Sequence, residues 1–437
     1  MCMNKSKILL LASLAVPIVP AITVSCYKDT KQVELKTEEK DDTDSSKKAE
    51  DKTKEIKQKL DQILVELEEL KNQNNEERKK LIEEFQAQLV IFKEKIENED
   101  SEEILKQIDE EYKKFKERIT EVKDEKKHTL KWGHWNVLKF TGDKTKQEAK
   151  TKRLALLTFL EKFDILGLTE VGHEFGVQEM TKYLNLYDGS SNKYSYVISK
   201  KLKGDKFNPS SAEHVAIIYN TQKVAPEAFD NGEIGYSWQK TFDDGIKEKD
   251  AQYSRPPYGV KFKYNLKPAK KMTFVFSHFD GPGVKKGEGT YKETGIGIYE
   301  YRESKKLVDV LDYFDSIDGQ QSNIFFGGDT NIKKGKQKIA FESMGNRYKF
   351  IFEDRDEHKT SLSTKPGKYS QPYDKLIYKT EFKISNPFIF DIWKTITDSY
   401  YIQKFEEQGI AIPKGTKISK PSVLSDHTYL GSEIVID

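Results

Sequence analysis

The stretch Ile324-Phe325-Phe326-Gly327-Gly328-Asp329-Thr330-Asn331 decides how the C-terminal three hundred or so residues of this 437-residue chain fold. Three successive large apolar residues read as a buried strand. The two glycines let the backbone turn sharply at its end, and Asp329 and Asn331, two residues apart, point the same way. A Gly-Asp turn is common by itself, so its weight comes from what surrounds it.

The same pattern recurs along the chain. Trp135-Asn136, Leu168-Thr169-Glu170, Ser277-His278 and Ser425-Asp426-His427 each close an apolar run that reads as a strand. Between the last two lies Gln371-Pro372-Tyr373-Asp374-Lys375-Leu376-Ile377-Tyr378. Further strands are predicted at 163–168, 215–219 and 272–276, and helices at 153–163 and 299–314. This alternation, with no long internal repeat, predicts one large α/β domain of layered sheets over residues 128–437. It gathers carboxylates, amides and two imidazoles at one sheet edge. Carboxylates and Asn suit a hard divalent cation and paired imidazoles move protons, a set fit for metal-assisted phosphodiester hydrolysis.

Upstream the texture differs. Lys5 and Lys7 precede an apolar run to Ser25, and Cys26 follows Thr23-Val24-Ser25. Residues 1–26 therefore read as a lipoprotein export signal with Cys26 as the lipidated residue; Pro17 and Pro20 argue against a spanning helix. The start is Met1 or Met3. The expected location is the outer face of the cell membrane. Cys2 and Cys26 are the only cysteines, which excludes a disulfide-stapled domain and a catalytic thiol downstream. Residues 27–52, nearly devoid of large apolar side chains, read as a disordered tether. Residues 53–127 carry three helical stripes: Ile56, Leu60, Ile63, Leu67 and Leu70; Leu81, Phe85, Leu89, Phe92 and Ile96; Ile104, Ile108, Tyr112, Phe115, Ile119 and Val122. They predict a helical hairpin or coiled-coil stalk, pairing with itself or with another chain. The net charge of +2 gives no global footprint for nucleic acid, although lysines cluster at 200–206, at 285–286 and at 333–338.

Taken together and in order, these motifs make residues 128–437 resemble the endonuclease/exonuclease/phosphatase superfamily, the deoxyribonuclease I-like proteins. The lipoprotein signal in front adds a resemblance to the mycoplasma membrane nucleases. The family implies a four-layer α/β (α+β) sandwich, two packed sheets flanked by helices. It implies metal binding by Asn136, Glu170 and Asp426, with Mg²⁺ first and Mn²⁺ or Ca²⁺ as alternatives. It also implies two carboxylate–imidazole pairs, Glu213 with His278 and Asp374 with His427. Asp329 would orient or deprotonate water and Asn331 would hold a phosphate oxygen.

Arg255, in Tyr253-Ser254-Arg255-Pro256-Pro257-Tyr258, matches a DNA-contacting arginine of the deoxyribonuclease I-like members, with a structural salt bridge as the plain alternative; Tyr373 is a further expected substrate contact. This sequence departs from those members at Leu138 and Gly172, where they place arginines, leaving Lys139 and His173 as substitutes. His134, His173, His214 and His358 read as bystanders. The implied activity is a surface-anchored nuclease acting on extracellular DNA or RNA for nucleotide scavenging. The alternatives are a sphingomyelinase-like phospholipid diesterase or phosphatase on the same fold, and an inactive adhesin working through the stalk.

Overall fold

The computed structural model describes residues 43–71, 76–96, 101–121 and 128–436, apart from 268, 285–287, 320–321 and 414–417. The expected export signal with Cys26, the lysines at 285–286 and most of the expected tether lie outside the described residues. The chain divides into two compact units, Met1–Asp124 and Glu125–Asp437.

In the first unit, α1 (Thr43–Lys71), α2 (Glu76–Lys95) and α3 (Ser101–Glu121) pack pairwise as a three-helix bundle. The predicted stripes meet inside it: Ile56, Leu60 and Leu67, Phe85 and Leu89, and Ile104, Ile108 and Phe115 share one core. The rings of Phe85 and Phe115 stack at 4.5 Å. The α1 helix starts at Thr43, before its apolar stripe begins. Lysine, alanine and glutamate at 47–50 are good helix formers and favour its extension by propensity.

Among its described residues the second unit holds thirteen strands. They are β1 (His128–Phe140), β2 (Ile165–Val171), β3 (Tyr194–Ile198), β4 (His214–Asn220), β5 (Val224–Glu227), β6 (Gly235–Ser237) and β7 (Tyr258–Tyr264). Then follow β8 (Lys271–His278), β9 (Ile324–Asp329), β10 (Lys349–Phe350), β11 (Asp374–Lys379), β12 (Lys383–Ile389) and β13 (Leu430–Ile436). They form two mixed sheets, ordered β12-β13-β1-β2-β4-β3 and β10-β11-β9-β8-β7-β5, with β6 on β7. Between the sheets, Trp132, Ile165 and Ile217 pack with Phe262, Phe274 and Phe325. The long helices α4 (Glu148–Leu160) and α5 (Glu174–Asp188) share a second core with the first sheet, and α6 (Ile298–Ile317) shares a third with the second sheet. The result is the predicted order of layers: helices, sheet, sheet, helix.

Close approach of the sheets needs Gly167, because a Cβ there would lie 2.1 Å from a ring carbon of Phe276. Gly167→Ala is expected to cost about 1–3 kcal/mol by overpacking. In urea denaturation the midpoint should fall with an unchanged slope; an unmoved midpoint would contradict this packing.

Strand direction places the chemistry. β1 and β2 run parallel, with Asn136 beside Thr169, and β8 and β9 run parallel, with His278 beside Asp329. β4, β11 and β13 are antiparallel to β2, β9 and β1. The carboxyl ends of the parallel strands and the starts of the antiparallel ones therefore share the same edge within each sheet. The two edges meet where Asn136 Nδ2 donates to Asp329 Oδ2 at 2.9 Å.

Candidate active site

Two carboxylate–imidazole pairs stand at this edge. His278 Nδ1 lies 2.9 Å from Glu213 Oε1, and His427 Nδ1 lies 2.6 Å from Asp374 Oδ2. With each Nδ1 engaged, Nε2 faces inward. Both Nε2 atoms approach one oxygen, Asp329 Oδ2, at 3.6 Å from His278 and 3.5 Å from His427. Asp329 Oδ1 is used differently, accepting the Asn331 N–H at 3.1 Å. The structure thus brings together the residues that the sequence scatters over nearly three hundred positions.

Electrostatics favour charged imidazoles. Burial and neighbouring Arg255 oppose charge on His278, but Glu213 outweighs them and its pKa stands above the usual 6.5. For His427, burial is overcome by Asp374 and Asp329, and its pKa stands well above the ordinary value. Burial would raise Asp374, yet His427 and His134 hold it below the carboxylate range. Glu213 behaves alike: against burial, the charges of His278 and Arg255 keep it low.

The corner expected to hold a cation has its own construction. Glu170, at a backbone φ of +55°, accepts from Asn136 Nδ2 at 3.0 Å and from the Lys139 N–H at 3.2 Å. Leu138, Lys139 and Asn331 also have positive φ, so four of the eight such non-glycine positions among the described residues lie here. Asn136 offers its amide nitrogen to the carboxylates, and its oxygen accepts the Leu138 N–H. In this arrangement it orients Glu170 and Asp329. Asp426 brings a buried Oδ1 with no hydrogen-bond partner. Burial raises its pKa, and the charge of Glu170 adds to that. An orphaned carboxylate oxygen beside a second carboxylate fits a hard divalent cation.

Several positioning groups escaped the sequence reading. His134, expected to be a bystander, has Nδ1 3.2 Å from Asp374 Oδ1 and Nε2 3.0 Å from Thr169 Oγ1. It therefore backs the Asp374–His427 pair. The signal was present, since His134 and Asn136 share one face of a strand. Ser425 Oγ donates to the Asn136 carbonyl and accepts the His427 N–H, linking the last motif to the first. Lys150, fully buried, donates from Nζ to the Leu138 and Pro421 carbonyls and fastens the strained bulge of β1. Burial pulls its pKa down to about 7, against the attraction of Glu170 and Asp426.

The open cleft over these groups has a volume of about 940 Å³. Tyr373 lines it, its ring 6.3 Å from that of His427, and burial with the nearby Asp329 charge pushes its hydroxyl up to about 12. Arg255 lines it too, but its guanidinium donates to the His278 and Phe279 carbonyls and lies 3.7 Å from Glu213. Those contacts are the structural role weighed against DNA contact. Asn331 Nδ2 donates to the Phe279 carbonyl at 3.3 Å, which fixes the turn. Lys139 reaches the cleft, whereas His173 caps α5 by accepting the Phe175 N–H. In the lysine cluster after Asn331, Lys334 pairs with Asp356.

No protein-family model matches the chain, and no curated protein matches it. Solved structures do. An endonuclease/exonuclease/phosphatase family protein from Bacteroides thetaiotaomicron is similar at 15% identity and a TM-score of 0.46, over 71% of this chain and 98% of its own. A mannosyl-6-phosphatase from the same organism is similar at 14% identity and 0.44, over 70% and 100%. D. rerio TDP2 complexed with single strand DNA product is similar at 12% identity and 0.41, over 70% and 98%. Folds of this kind carry many chemistries, so the substrate must be read from the cleft.

Proposed function

We propose that the second unit is a divalent-cation-dependent phosphodiesterase that cleaves nucleic acid, DNA first and RNA second. We further propose that Cys26 anchors the chain by lipid to the outer face of the cell membrane, where the products serve nucleotide scavenging. The observation that carries the catalytic reading is the pair of carboxylate-backed imidazoles turned toward one oxygen of Asp329. Acid and base on two sides of a scissile bond are what diester cleavage requires.

When bound by Glu170 and Asp426, a hard cation such as Mg²⁺ supplies charge neutralisation at the phosphate. The chain's own groups move the protons. Neutral His427 takes a proton from the attacking water at Nε2, and Asp374 stabilises the imidazolium that forms. Protonated His278 gives its Nε2 proton to the departing oxygen, with Glu213 holding the ring. Asp329 Oδ2, within reach of both rings, orients the water and lets a proton return between them. Lys139 and Tyr373 border the phosphate chain.

The pKa of His427, the base, is raised, so the acid limb of kcat/KM against pH should have its midpoint above 6.5. Only the unprotonated fraction of His427 works below it; the raised pKa of His278, the acid, belongs to the alkaline limb. Asp374→Asn removes the charge that lifts His427 and should move that limb to lower pH; an unmoved limb would remove His427 as the base. The substrate is tested by giving the full chain supercoiled plasmid, single-stranded RNA, sphingomyelin vesicles and a phosphate monoester under one cation. Fastest turnover of the nucleic acids is expected. Turnover of sphingomyelin or the monoester alone would overturn the nuclease reading and leave the phosphoesterase chemistry.

A further inference from the structure

Two buried side chains at the start of α4 serve backbone far from that helix. Gln147, at the N-cap position, makes no side-chain hydrogen bond to the helix it precedes. It is buried, and both ends of its amide are engaged elsewhere. Oε1 accepts the N–H groups of Thr141 and Gly142, at 2.8 and 3.1 Å, and the Thr141 hydroxyl at 3.1 Å. Nε2 donates to the Lys139 carbonyl at 3.0 Å and to the Pro421 carbonyl at 2.9 Å. Lys150 stands one helical turn on and repeats the pattern. Its Nζ donates to the Leu138 carbonyl at 2.6 Å and to the same Pro421 carbonyl at 3.0 Å. Each side chain therefore ties one positive-φ residue of the β1 bulge to the turn that precedes Asp426.

The two tied segments carry the two sides of the cation corner. The Lys139 N–H holds Glu170 Oε2, and Asp426, with its free buried Oδ1, follows Pro421 by five residues. Chain connectivity cannot fix the distance between them, since Lys150 and Pro421 are 271 positions apart. The helix fixes it instead, because residues three apart share one of its faces. Charge cannot be what Lys150 contributes to a cation site. Glu170 and Asp426 are near enough to act on its ammonium, so that ammonium repels any cation they hold. Only its geometry can favour one.

We infer that Gln147 and Lys150 are positioning residues that set the cation affinity of the Glu170–Asp426 corner, by holding the β1 bulge and the Pro421 turn at one separation. The inference rests on the reading of that corner given above. Groups that orient metal ligands without touching the metal are typically worth about 10–100-fold in affinity.

The test reads binding. The full chain is titrated with Mn²⁺ by calorimetry, and the uptake that Glu170→Gln removes is assigned to the corner. Lys150→Met loses a positive charge and Gln147→Glu gains a negative one. Coulomb attraction alone would then tighten Mn²⁺ binding in both variants. Positioning predicts the reverse, a Kd raised about 10–100-fold in each. Because the two side chains share the Pro421 carbonyl, the double variant should lose less than the product of the single losses. Lys150→Met keeps the side-chain length, and Gln147→Glu keeps an oxygen for the Thr141 and Gly142 N–H groups. Both should therefore fold, which melting in EDTA checks. Unchanged or tighter binding in either folded variant would overturn the role of that residue and leave the corner standing. Uptake by the native chain that Glu170→Gln does not reduce would overturn the corner and this inference together.

Discussion

Replacing His427 with alanine is expected to lower kcat on a phosphodiester by about 10²–10⁴-fold, the range for losing a positioned acid or base. The geometry makes the effect specific. His427 Nε2 is aimed at the Asp329 oxygen that His278 also faces, and its other nitrogen is fixed by Asp374. The same loss is expected for His278→Ala. Combining the two should cost less than the product of the single losses, because both rings serve one proton path through Asp329. Stability should fall as well. Removing His427 leaves Asp374 buried with only His134 beside it, and breaking a buried pair costs about 3–5 kcal/mol. Activity must therefore be referred to folded protein, measured by circular dichroism beside the kinetics. Single losses below tenfold would remove the imidazoles from the reaction.

Asp426→Asn should separate function from stability in opposite directions. The folded protein raises the pKa of Asp426, through burial and then the charge of Glu170. A carboxyl raised above its unfolded value binds a proton more readily when folded, so above that value its charge opposes folding. Neutral Asn removes this penalty. In EDTA at neutral pH, the variant should melt at a higher temperature than the native chain. In the presence of cation, its maximum rate should fall by about 10³-fold, a few kcal/mol at 1.4 kcal/mol per decade. Half-activation should need about 10–100-fold more cation. Glu170→Gln should show the same kinetic losses. A lower Tm in EDTA would mean that Asp426 is held by structure rather than kept for a ligand.

Much of this was legible in the chain itself. The apolar runs placed β2, β4, β8 and β9 near their observed ends. The helical stripes of the first unit were equally clear, although residues 43–52 became helix by propensity, a weaker signal than periodicity. At the site, the resemblance supplied the pairings Glu213–His278 and Asp374–His427, which no spacing could yield because pairing is set by register across sheets. What the sequence hid were groups acting through others. His134 lies behind Asp374, Lys150 holds the Leu138 carbonyl, and Asn136 turns its nitrogen rather than its oxygen to the carboxylates. Arg255 looked available for substrate, but two backbone carbonyls claim it. Such roles depend on rotamers and backbone strain; for His134 alone the strand face shared with Asn136 was a legible sign.

The central claim is that one cation-dependent site of paired imidazoles cleaves a nucleic-acid backbone. Its most direct test is nicking of supercoiled plasmid by the full chain with Mg²⁺, Mn²⁺ or Ca²⁺, beside EDTA and a Glu170→Ala, His278→Ala double variant. Cation-dependent nicking that EDTA stops and the folded variant lacks is the predicted result. A folded native chain that leaves the plasmid intact under every cation, or a double variant that nicks as fast as the native chain, would contradict it.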